Sequence, residues 1–107
     1  MEKRFKTLKQ FYPYYLEEHR DPTCRILHFI GTGLLFFIIL FSIWLSNYWL
    51  LISIPFVGYG FAWVGHYFFE KNRPATFKYP FFSLASDFLM FFDLLKGKEK
   101  FQPKVYK

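Results

Sequence analysis

The chain has 107 residues, 53% of them hydrophobic and 26% aromatic, with 17 Phe, 8 Tyr and 3 Trp. A domain of this size cannot hide so much apolar surface from water, a disordered chain would not carry it, and a single cysteine, Cys24, allows no internal disulfide framework. The net charge of +6 is segregated: every Lys and Arg falls at 3–25, 71–78 or 96–107, bordering a charge-free block at 26–69, which suits anionic lipid headgroups rather than nucleic acid.

Residues 1–25 are polar, basic and aromatic, and the apolar run after them starts too late for a secretory signal peptide. Phe5, Leu8, Phe11 and Tyr12 recur at helical spacing. This predicts a short amphipathic helix on the membrane surface that stops near Pro13, with Tyr12, Tyr14 and Tyr15 in the headgroup zone. Asp21-Pro22-Thr23 reads as a turn with Asp21 near the cap of the next helix.

Residues 26–45 form a 20-residue apolar run, long enough to cross a bilayer as a helix. A polar break at Ser46-Asn47-Tyr48 separates it from a second run at 48–69. Pro55 is expected to kink the second run, and Gly58, Gly60 and Gly65 to let helices approach. The pair reads as a transmembrane helical hairpin, with Trp44, Tyr48 and Trp49 as an aromatic belt at its turn. After a polar loop at 70–79, residues 80–95 are apolar but short, with Ser83, Ser86, Asp87, Met90 and Asp93 on one helix face. This segment is a third, tilted span or a re-entrant or interfacial helix. The tail at 96–107 is basic and expected to be loose. The fold class is therefore all-α integral membrane: one membrane domain over 1–107, built from the hairpin, the amphipathic N-terminal helix and the third short helix. Charge asymmetry places both outer ends of the hairpin on the cytoplasmic side, in a bacterial inner membrane or the endoplasmic reticulum. A hairpin this small has little surface for burying a whole acyl chain, which leaves a homo-oligomer as one option.

The chain has three histidines, His19, His28 and His66. Counted from the hairpin turn, His28 and His66 are each 18 residues away, roughly 27 Å at helical rise, so they share one membrane depth. His19 lies on the same side, and Glu70 is four residues beyond His66. Three imidazoles and a carboxylate suit divalent iron, zinc or manganese, and two histidines with one carboxylate would suit an oxygen-using ferrous site. Alternatively, His28 only hydrogen-bonds a neighbouring helix. Arg20, Arg25, Lys71 and Arg73 are each candidates for binding an acidic headgroup or a substrate carboxylate, with Lys71 and Arg73 preferred for the carboxylate; lipid anchoring is the other use for all four. Asp21 and Asp87 are candidate ligands or acceptors that orient a ligating histidine, or else a helix cap and an interhelical contact.

Three stretches, FYPYYLEEHRDPTCRILHFIGT, GYGFAWVGHYFFEKNRPATF and SLASDFLMFF, resemble the small membrane family of the yeast 2-hydroxy fatty acid dioxygenase. The most specific parts are His19-x8-His28-x2-Gly31 and Trp63-x2-His66-x3-Glu70-x3-Pro74-Ala75. Where that family is expected to carry Asn, this chain has Asp21 and Cys24, and it has Thr76 where Leu is usual. The resemblance implies an Fe(II) enzyme of fatty acid α-oxidation, using dioxygen to convert a long-chain 2-hydroxy fatty acid to the acid one carbon shorter. It maps the functional histidines onto His19, His28 and His66, which would bind the metal with Glu70 as a fourth ligand or a positioning partner. The competing classes are a non-enzymatic membrane scaffold or lipid-binding protein, and a zinc-dependent lipid hydrolase.

Overall fold

The computed structural model describes residues 5–74 and 77–101; Ala75, Thr76 and the end of the basic tail lie outside them. The described elements are all helical. Helix α1 spans Leu8–Glu17 and α2 spans Pro22–Trp44. A 3-10 segment, Tyr48–Ile52, leads into α3, Ser53–Val64, which runs on through a π-helical turn, Gly65–Glu70. Helix α4 spans Pro80–Lys96.

Helix α1 begins where Thr7 caps it: the Thr7 hydroxyl accepts the Gln10 N–H at 3.2 Å, and Gln10 Oε1 accepts the Lys6 N–H at 3.0 Å. It does not stop at Pro13. Proline removes one ladder hydrogen bond, and burial of Phe11 and Tyr15 on either side of it carries the helix on to Glu17. The apolar face of α1 is not spread on a lipid surface. Phe11 and Tyr15 pack with Tyr79, Met90 and Leu94, the last two from α4, and this cluster is the buried core. Tyr15 thus lies in the core rather than in the headgroup zone.

Asp21 caps α2, accepting the N–H groups of Thr23 and Cys24 at 2.9 and 3.1 Å, with Pro22 at the first helical position. This extends α2 four residues upstream of the apolar run. Helices α2 and α3 pack as a hairpin. A Cβ on Gly31 would meet Phe61 Cβ at 2.9 Å, and one on Gly65 would meet Cys24 Sγ at 2.9 Å, so these two glycines set the approach. Gly60, expected to do the same, has nothing within 4 Å among the described residues. Pro55 falls in the first turn of α3, where a missing N–H is tolerated. The departures from regular helix lie before and after α3, at Tyr48–Ile52 and Gly65–Glu70, rather than at residue 55.

Two stretches, Pro22–Trp44 and Tyr48–Glu70, are long and apolar enough to cross a membrane. Their outer faces expose Phe37, Leu40, Ile43, Phe56 and Phe68. Helix α4 lies against α1 and α2, with Phe91 stacked on Phe29 at 4.8 Å and tilted against Phe36 at 5.4 Å. It buries Ser83, Ser86, Met90 and Leu94, and Asp93 accepts the Tyr12 hydroxyl at 2.8 Å. The start of the basic tail is docked rather than loose: Phe101 packs edge-on to Phe29 at 5.3 Å, and Glu99 pairs with Arg25 at 3.0 Å.

Candidate metal centre

The fold brings the three histidines together. Their ring centroids are 4.4 Å apart for His19–His28, 4.4 Å for His19–His66 and 5.0 Å for His28–His66. All three are buried, and one ligand nitrogen from each falls within 4.8 Å of the others.

Hydrogen bonds at the far side of each ring decide the tautomers. His19 Nδ1 faces the Tyr15 carbonyl at 2.6 Å, and His28 Nδ1 faces the Cys24 carbonyl at 3.0 Å. Both contacts span four residues, and a carbonyl only accepts, so both Nδ1 atoms carry the proton. His66 Nδ1 faces Asn72 Oδ1 at 2.7 Å. The Asn72 amide nitrogen donates to the Glu18 carbonyl at 3.0 Å, which fixes the amide's orientation and makes His66 Nδ1 a donor as well. Every Nε2 is then a bare lone pair. His19 Nε2 and His28 Nε2 meet at 3.1 Å with no proton left to share. Two facing lone pairs repel unless a cation sits between them, and nitrogens bound to one ion at ~2.1 Å stand roughly that far apart. The cavity they border holds about 20 Å³, room for one ion or one water. The residues present therefore fit a metal ion. Burial, and then the neighbouring His28 and His66, hold His19 well below the ordinary imidazole range, in the neutral form that ligates.

The loop from Glu18 to Asp21 presents His19, and three side chains clamp it. Glu70 accepts the backbone N–H groups of Arg20 and Asp21 at 3.2 and 2.6 Å. Asn72 holds the Glu18 carbonyl. Arg25, 2% exposed, donates to the carbonyls of His19 and Leu16 and also to Glu99 and the Lys100 carbonyl. The π-helical turn and the left-handed Lys71 after it (φ 63°) swing Asn72 back under His66, whose carbonyl accepts the Asn72 N–H at 3.1 Å.

Of the residues singled out from sequence, the three histidines converge. Glu70 has both oxygens on backbone amides. Asp21 caps α2. Asp87 accepts the hydroxyl of Tyr15, whose ring stacks on His19 at 3.9 Å. Burial raises the Asp87 carboxyl to about 7, with the Tyr15 hydrogen bond opposing it. Lys71 and Arg73 are exposed and do not line the histidine cavity; Arg73 sits over the Phe77 ring at 5.8 Å. Sequence reasoning passed over Asn72 and gave Tyr15 and Arg25 to the lipid surface. Ser83 also went unassigned to the site. It lines the cavity, is buried, and its hydroxyl has no hydrogen-bond partner among the described residues.

An all-helical chain with two membrane-length apolar stretches and a buried three-histidine cluster that can hold a metal ion is the class that fold and site define. The profile of the family described as 2-hydroxy-palmitic acid dioxygenase Mpo1-like matches residues 5–99, and the chain belongs to that family. No curated protein and no solved structure matches it.

Proposed function

We propose that the protein is an Fe(II)-dependent dioxygenase that converts a long-chain 2-hydroxy fatty acid to the acid one carbon shorter. The observation that carries this reading is the convergence of three buried imidazoles, each with Nδ1 on a hydrogen-bond acceptor, in a chain of this family. Neutral imidazoles suit iron among other divalent metals. Ferrous iron bound by His19, His28 and His66 would supply activation of dioxygen and a template for the substrate.

The protein's own groups have separate tasks. Tyr15, Cys24 and Asn72 fix the imidazole tautomers. Glu70 and Arg25 hold the loop that carries His19. Ser83 offers a hydroxyl donor to the substrate's polar head, and formation of that bond would satisfy an orphaned buried group worth about 1–3 kcal/mol. Asp87 offers its carboxyl to the 2-hydroxyl. Lys71 and Arg73 lie outside the cavity and would attract the acidic substrate rather than hold it. The reaction balances with dioxygen alone: the C1–C2 bond breaks, C2 is oxidised from alcohol to carboxyl, and C1 leaves as carbon dioxide with one water.

The test is mass spectrometry of products from 2-hydroxypalmitate, using detergent-purified protein reconstituted with Fe(II), with and without oxygen. The expected product is pentadecanoate, in oxygen only, and it is lost in His28→Ala. Wild-type protein that yields none under oxygen, or His28→Ala that keeps full yield, contradicts the proposal.

A further inference from the structure

The histidine cavity, about 20 Å³, leaves no room for the alkyl tail beside the ion it would hold, yet it has a neighbour. His28, Tyr59, Ala62 and Asp87 line it and also line a second cavity of about 200 Å³. The second cavity lies between α2, α3 and α4, walled by Thr32 and Leu35, by Ile54 and Gly58, and by Leu84 and Phe88. Its polar groups cluster at the histidine end. From His28 to Leu35 and from Ala62 to Ile54 the walls descend toward the hairpin turn, roughly 10–12 Å at helical rise. An apolar cavity of roughly 150 Å³ accommodates a benzene ring, so 200 Å³ takes more than six carbons but not a whole palmitoyl chain. A groove on the outer face of the hairpin, lined by Phe56, Gly60 and Val64 among others, shares no residue with the histidine cavity.

We propose that the substrate's alkyl tail runs from the histidines into the cavity between α2, α3 and α4, and that Gly58 sets how much chain is admitted. The proposal rests on the reading of the site as one for 2-hydroxy fatty acids. Gly58 stands midway along the α3 wall, one helical turn from Ala62. A Cβ there would meet Leu35 at 3.7 Å, an ordinary contact, so a side chain is accepted without backbone clash. A leucine at this position would fill the passage beyond the first few carbons of the tail. Gly60, two residues on in the same helix, faces open space and makes a matched control.

The experiment compares kcat/KM for 2-hydroxypalmitate and 2-hydroxyhexanoate in wild type, Gly58→Leu, Gly58→Ala and Gly60→Leu, all reconstituted with Fe(II). Metal content and thermal unfolding are read in parallel. Gly58→Leu is expected to lower the long-to-short ratio by about tenfold or more. Gly58→Ala should shift it the same way by less, which keeps the test open if the leucine variant fails to fold. Gly60→Leu should leave the ratio within about twofold. An unchanged ratio in folded, metal-loaded Gly58 variants overturns the tail path alone. So does a shift produced by Gly60→Leu, which would place the tail in the outer groove. A wild-type protein that turns over neither acid removes the activity itself, and the tail path with it.

Discussion

Asn72 shows how much of the site depends on a residue that offers the metal no atom of its own. Its carbonyl oxygen accepts the hydrogen bond of His66 Nδ1–H, and its amide nitrogen ties that histidine to the loop carrying His19. Replacing it with leucine leaves His66 free to choose the wrong tautomer and releases the Glu18 carbonyl. Asn72→Leu is expected to weaken metal binding by about 10- to 100-fold, as loss of such orienting partners does elsewhere. Titration of the metal-free protein with Fe(II) under anaerobic conditions checks this, and unchanged affinity would show that Asn72 is bystander packing. The histidines themselves were legible from the sequence, because hairpin arithmetic alone puts His28 and His66 at one depth. Asn72 was not, since it joins the site through a π-helical turn and a left-handed Lys71 that follow no hydrophobic period. Arg25 was misplaced for a related reason: a basic residue at the flank of an apolar run reads as a lipid anchor, and only tertiary contacts show it buried against four acceptors.

Among the elements, the approach of α2 to the end of α3 decides whether His28 and His66 meet. Gly65 immediately precedes His66, and a side chain there would run into Cys24 Sγ at 2.9 Å and its Cα at 3.2 Å. Gly65→Ala should cost about 1–3 kcal/mol by overpacking and weaken metal binding, because the backbone that must yield carries a ligand. Unfolding in detergent and Fe(II) titration measure the two effects; a fully stable variant with normal affinity would mean that the contact is soft. Element boundaries were legible where caps were visible, as at Asp21, and less so at prolines. Pro13 looked like a stop and Pro55 like a kink. Burial of Phe11 and Tyr15 overrode the first, and first-turn placement made the second harmless.

In the whole molecule the charge-free block is a spacer that folds back on itself, and the polar clamps sit at one end of it. Its outer faces expose apolar side chains, and its inner faces with α4 enclose the cavity beside the histidines. The sequence separates apolar from charged segments clearly, so two membrane-length helices followed directly. It does not divide the aromatic residues between lipid and interior, because both environments select the same side chains. The docked start of the tail was equally hidden, since Phe101 and Glu99 act through Phe29 and Arg25, more than 70 positions away.

The proposed activity requires one ion held by three imidazoles, and elemental analysis of anaerobically Fe(II)-reconstituted protein tests that most directly. Wild type should carry one iron per chain after desalting, and His19→Ala, His28→Ala and His66→Ala should each lose it while remaining folded. A wild-type chain that retains no iron, or histidine variants that retain a full equivalent, would contradict a three-histidine iron site.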